Sequence, residues 1–117
     1  LKTDNAVQIK SYAFAVRIVN VYKYIIQNHQ EYVLSKQLLR SGTSIGANVE
    51  EALGGHSQKD FLHKLSISYK EARETAYWIK LLRDTHYLDN QQSQSLLNDV
   101  DELLRIIGSI QKTIRNS

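Results

Sequence analysis

Four stretches of this chain repeat their apolar residues at helical spacing, and short polar breaks separate them. In the first, from about Asn5 to Asn28, Val7, Phe14, Ile18, Val21 and Ile25 share one face. Tyr12, Val16, Val19 and Ile26 form a second apolar line, and Lys10 and Arg17 take the remaining polar face. A helix apolar over so much of its circumference is expected to be buried on more than one side. His29-Gln30-Glu31-Tyr32 reads as a connection. The second stretch, Ser35 to Leu53, opens on a candidate N-cap serine and carries Leu38, Ile45, Val49 and Leu53, with Gly42 and Ala52 alongside. Gly42 and Gly46 each cost about 1 kcal/mol of helix propensity relative to alanine. Either they let another helix come close, or the helix breaks near Ser41-Gly42-Thr43; a continuous helix is the favoured reading.

Gly54-Gly55 reads as a C-cap and turn. Ser57-Gln58-Lys59-Asp60 then resembles a capping box with Asp in place of the usual Glu. The third stretch continues to about Thr85. Phe61, Leu65, Ser68, Ala72, Thr75, Ile79 and Leu82 face one way, and Lys59, His63, Lys70, Arg73, Tyr77 and Lys80 face the other. Ile67, Trp78 and Leu81 lie on one flank beside Glu71 and Glu74. His86 to Asn90 is the next turn, where Asp89 or Asn90 can cap the fourth helix. There Leu96, Val100, Leu103, Ile107, Ile110 and Ile114 form a heptad-like seam, widened by Leu97, Leu104 and Ile106. Asp99, Asp101 and Glu102 crowd its first half and Arg105, Lys112 and Arg115 its second, an order that suits the helix dipole.

Four long helices with short connections predict an all-α fold: one domain over residues 1–117, an antiparallel up-down-up-down four-helix bundle. Composition agrees. The 117 residues contain no Pro, the commonest helix breaker, and no Cys, which excludes disulfides, thiolate metal sites and a thiol nucleophile. At 42% hydrophobic and 23% charged, the chain has the balance of a folded soluble protein. No apolar run approaches the roughly 18 residues of a membrane span, and no secretory leader pattern is visible. The expected location is cytoplasmic.

The apolar surface exceeds what one bundle needs, since the first helix has nearly two stripes and the third has a flank of Ile67, Trp78 and Leu81. That surplus points to an oligomer, with Ile67, Trp78 and Leu81 as candidate interface residues. The alternative is that Trp78 covers a bundle edge or a loop.

Catalytic and metal chemistry find little support. None of the six Glu has a His three residues later, as di-iron bundles require, and Asp60-x-x-His63 is the nearest approach. Glu71 and Glu74 are more simply solvated, or paired with Arg or Lys across an interface; Lys70 and Arg73 are nearest in sequence. Ser41, Ser44 and Asn48 have no His or Asp at a useful spacing, and Gly54-Gly55 lacks the phosphate-loop pattern. No catalytic residue, cofactor or metal is assigned, and the reading is non-enzymatic.

Charge is more informative in its distribution than in its total. The net charge is +3, and the first and third segments hold the positive excess. Lys10, Arg17, Lys59, Lys70, Arg73, Tyr77 and Lys80 are therefore candidates for nucleic-acid binding, the cations tracking phosphates and the tyrosine stacking on a base or sugar. The partner would be RNA, DNA or a nucleic-acid-processing protein. An ordinary solvated face is the plain alternative, and a protein-interaction scaffold without nucleic-acid contact is the second functional reading.

The run from Leu39 to Ala52 resembles the helix-two signature of the four helix bundle proteins encoded in intervening sequences of bacterial 23S rRNA genes. The usual form is Arg-x-x-x-Ser-Ile-x-x-Asn-Ile-x-Glu-Gly. Arg40, Ser44, Ile45, Asn48 and Glu51 match in order, and Ala52 replaces the usual Gly. Phe61 to Ile79, including Glu71, is similar to the helix-three pattern of one branch. The resemblance covers nearly the whole chain. It implies an up-and-down bundle assembling as a ring, typically a homopentamer, and structural roles for Arg40, Ser44, Asn48, Glu51 and Glu71. The related accessory variability proteins of diversity-generating retroelements are basic pentameric barrels that bind nucleic acid and a reverse transcriptase.

Overall fold

In a computed structural model, which describes residues 2–116, four helices take up nearly the whole chain: α1 (Lys2–His29), α2 (Leu34–Leu53), α3 (Gln58–Asp84) and α4 (Asn90–Arg115). Each packs against its neighbour in sequence, and α1 also meets α4, closing a four-membered ring. Contacts along each seam run in opposite sequence directions. On α1 and α2, Gln8 donates to Glu50 at 2.9 Å while Ile18 lies over Gly42. On α2 and α3, Lys64 reaches Glu51, Ser68 reaches Ile45, and Thr75 reaches Ser41. On α1 and α4, Lys10 meets Glu102 and Arg17 meets Asp99. The result is a rod of 47 × 21 × 19 Å.

The predicted stripes form the core, except that Leu53, the last residue of α2, is 38% exposed where the helix ends. Val7, Phe14, Ile18 and Ile25 of α1 are buried with Leu38, Ile45 and Val49 of α2, Leu65, Ala72, Ile79 and Leu82 of α3, and the α4 seam from Leu96 to Ile110. Ile114 is half-buried at the edge of that cluster. The α2 helix runs unbroken through Ser41-Gly42-Thr43, and its glycines admit α1. A Cβ on Gly42 would stand 2.8 Å from both γ-carbons of Ile18, and one on Gly46 would stand 3.2 Å from the Ser11 carbonyl oxygen. Hydroxyls buried between α2 and α3 are satisfied. Ser68 Oγ donates to the Ile45 carbonyl at 2.8 Å, and Thr75 Oγ1 lies 2.7 Å from the Glu71 carbonyl and 3.0 Å from Ser41 Oγ.

The second line of α1 divides within the single protomer. Val19 and Ile26 are half-buried, but Tyr12 is 71% and Val16 46% exposed, and Ile9 beside them is 67% exposed. The reason is geometric: α1 has two helical neighbours, α2 and α4, and a line pointing between neither stays outside.

Helix ends also depart from the simple reading. The α2 helix begins one residue before Ser35, and its cap is Glu31. The Glu31 carboxylate accepts from the backbone N–H groups of Val33, Leu34 and Ser35, each at 2.8 Å, while Ser35 Oγ donates back to the Glu31 carbonyl at 2.6 Å. Burial opposes ionisation of Glu31, but the three N–H donors and Ser35 outweigh it and hold the carboxyl below its ordinary value of 4.5. A depressed folded-state value means stability that is present above the ordinary value and lost as pH falls through the depressed one. Glu31→Ala is expected to cost about 1 kcal/mol at neutral pH, in the range of a lost helix cap. In chemical denaturation the gap between parent and variant should close as the pH falls below the ordinary value of 4.5 and through the depressed one; a gap independent of pH would refute the ionised cap.

At the end of α2, Gly54 sits at φ −90°, outside the left-handed region, so the turn does not rest on a left-handed glycine. Space is tight at Gly55, where a Cβ would stand 3.2 Å from the Ala52 carbonyl oxygen and would push the end of the Asp60 side chain aside. Ser57 Oγ accepts from the Asp60 N–H, the first half of the predicted capping box. Asp89 forms a complete one with Gln92 at the start of α4.

Candidate nucleic-acid interface

Because Leu65, Ser68, Ala72, Thr75, Ile79 and Leu82 are buried, the opposite face of α3 points outward. It carries Lys59, His63, Lys70, Arg73, Tyr77 and Lys80, all exposed. At 1.5 Å per residue, Lys59 to Lys80 spans about 31 Å along one side of the rod. The acids of α3 are turned elsewhere. Glu71 and Glu74 pair with Arg40 of α2, not with Lys70 or Arg73. Asp84 pairs with Arg83, and the Asp60 carboxylate lies against Gly55. Among the described residues, no carboxylate lies within ion-pair distance of Lys59, Lys70, Arg73 or Lys80. The stripe is therefore a row of uncompensated positive charge.

Arg40 organises the neighbouring surface. Its guanidinium contacts both Glu71 oxygens at 3.4 Å and is hydrogen-bonded to Glu74, while Gln37 accepts from its Nε. Glu74 in turn accepts from Trp78 Nε1 at 2.9 Å. Trp78 meets the edge of Tyr77, with ring centroids 5.0 Å apart and planes at 77°. A continuous chain of contacts thus runs from α2 to an exposed tyrosine in the basic stripe.

The other sequence candidates fall in different places. Lys10 is bound to Glu102 at 2.7 Å, and Arg17 to Asp99 at 2.6 Å and Ser95 at 3.1 Å. Both lie on the α1/α4 seam and do not join the α3 stripe. Ile67, Trp78 and Leu81 are half-buried within the protomer; Ile9, Tyr12 and Val16 of α1 stand further out. Of these, Tyr12 and Val16 were visible as a second apolar line, whereas Ile9 carried no signal of its own. Ser44 donates to the Arg40 carbonyl at 2.6 Å and Asn48 to the Ser44 carbonyl at 2.8 Å, both within α2, and Glu51 receives Lys64 at 3.0 Å.

Among the described residues, no three His, Asp or Glu side chains gather as metal ligands, and no helix is long and apolar enough to cross a membrane. A groove of about 330 Å³ on the α1/α4 seam is lined by Arg17, Asn20, Val21, Tyr24, Leu88, Gln92 and Leu96. That lining pairs no nucleophile with a general base.

The model of the 23S rRNA-intervening sequence proteins matches residues 3–109, which includes the Arg40 to Glu51 motif and all of α3. The chain belongs to the 23S rRNA-intervening sequence protein family. A solved neighbour is a protein of unknown function from the S23 ribosomal protein family of Bacteroides thetaiotaomicron VPI-5482, 51% identical, with a TM-score of 0.93, covering 94% of this chain and 98% of that one. No curated protein matches the chain. Within this intervening-sequence protein, Arg40 and Glu51 tie α2 to α3, and Ser44 and Asn48 bond back to α2.

Proposed function

We propose that this intervening-sequence protein is a non-enzymatic, oligomeric, cytoplasmic bundle that binds nucleic acid, free or within a nucleoprotein, through repeated α3 faces. The observation that carries the reading is the exposed row of Lys59, Lys70, Arg73 and Lys80, from which every α3 carboxylate is diverted. Such a row is a good counter-surface for a phosphate backbone. The net charge of +3 is small for one chain. A ring, as the family resemblance implies, would repeat the stripe and multiply its field. The exposed Ile9, Tyr12 and Val16 line supports assembly, since apolar surface of this kind is commonly covered by another subunit.

Binding to RNA and DNA should weaken steeply as salt rises, with log affinity linear in log salt concentration and a slope near −0.7 to −0.9 for each phosphate neutralised. Light scattering of the same sample should give a multiple of the 13.5 kDa chain, a pentamer being the size expected. Failure to bind either nucleic acid at low ionic strength would leave a protein-interaction scaffold, docking through the α1 line, as the reading.

A further inference from the structure

We infer that the α3 stripe is a site for single-stranded nucleic acid, with Tyr77 as the platform for one unstacked base and Arg73 and Lys80 holding the phosphates on either side. The inference rests on the nucleic-acid reading above and narrows it to a class of ligand. Tyr77 is 58% exposed, whereas a tyrosine that serves the core is covered. It stands four residues after Arg73 and three before Lys80, on the same face, so the order along the helix is cation, ring, cation within about 10 Å. A nucleotide in an extended strand presents phosphate, base, phosphate in the same order. The ring is also held in place. Its edge contact with Trp78, Trp78's bond to Glu74 and Glu74's pairing with Arg40 anchor it to two helices, which reduces the rotamer freedom lost on binding.

Duplexes fit this surface poorly. A helix that reads a duplex enters a major groove about 12 Å wide. The α3 helix has α2 and α4 on either side in a rod 21 × 19 Å across, so it offers a groove one face and not a projecting helix. The major groove of A-form RNA is narrower still. A duplex could meet only the cations, and its base faces, closed in the stack, would leave Tyr77 idle. An unpaired strand exposes those faces, and base-on-aromatic stacking tolerates any sequence.

The test uses the full chain, a fluorescent oligothymidylate of about 20 nucleotides, and a duplex of equal length, titrated by anisotropy at low salt. Tyr77→Leu is expected to weaken single-strand binding roughly tenfold, the usual scale for one lost stacking contact. Tyr77→Trp should restore it. Duplex binding and the salt slope should change little in either variant, because no charge is altered. Unchanged single-strand affinity in Tyr77→Leu, or an equal loss on both ligands, overturns the inference while leaving nucleic-acid binding standing. Absence of binding by the parent to both ligands overturns the underlying reading along with it.

Discussion

Reversing Lys70, Arg73 and Lys80 together to glutamate is expected to reduce nucleic-acid affinity by roughly two orders of magnitude or more at low salt, and to flatten its salt dependence by about two to three units of log–log slope. Three phosphate contacts are removed, and three repulsive charges take their place on one helix face. The fold should tolerate the change, because all three side chains are exposed and none makes an ion pair among the described residues. A matched control separates the stripe from bulk charge. Lys23→Glu, Lys36→Glu and Lys112→Glu, combined, alter the net charge equally at exposed positions on the other three helices. That control should lose far less affinity. If both triple variants weaken binding equally in a filter or anisotropy assay, the general field of the protein binds nucleic acid and the α3 stripe has no special role.

Gly42→Ala is expected to destabilise the protein by about 1–3 kcal/mol, the cost of over-packing a close helix crossing. Helix propensity alone argues for the opposite sign, since alanine in place of a helical glycine is worth about 1 kcal/mol. Packing wins because the new Cβ would lie 2.8 Å from Cγ1 and Cγ2 of Ile18, a fully buried and β-branched side chain with no open direction to move. Ile18→Ala alone should cost about 2–5 kcal/mol by opening a cavity. The double variant should be more stable than the sum of the two losses predicts, because each change relieves the other. Denaturant unfolding of all four proteins at one protein concentration measures this coupling. A Gly42→Ala variant as stable as the parent would show that α1 and α2 need not approach so closely.

Much of this architecture is legible in the residue pattern. The spacing of Leu96, Val100, Leu103, Ile107 and Ile110 leaves one apolar face on the fourth helix, and the structure buries it. Such patterns survive because burial of an apolar face depends mainly on which residues share a side, and helical periodicity settles that locally. Gly42 and Gly46 were legible as close-approach positions for the same reason. Glu31 as a cap was not, because the chain there curls so that a side chain four residues before Ser35 reaches three N–H groups in succession.

The candidate site divides along the same line. Periodicity alone put Lys59, Lys70, Arg73, Tyr77 and Lys80 on one face of one helix, and that face is exposed. It could not tell these cations from Lys10 and Arg17, which look equally polar and free along the chain. Their partners Glu102 and Asp99 lie 92 and 82 residues away in sequence and arrive only because α4 closes the ring against α1. Equally, Glu71 and Glu74 have Lys70 and Arg73 as sequence neighbours, yet adjacent residues on a helix point in different directions. The carboxylates turn inward to Arg40 of α2 and leave the lysine and arginine outside. Helical periodicity is enough to place the helices, their buried faces and the basic face of α3. Which charges remain uncompensated was decided only by the tertiary structure, because neutralisation needs two side chains within a few ångströms, and that distance is set by helix packing.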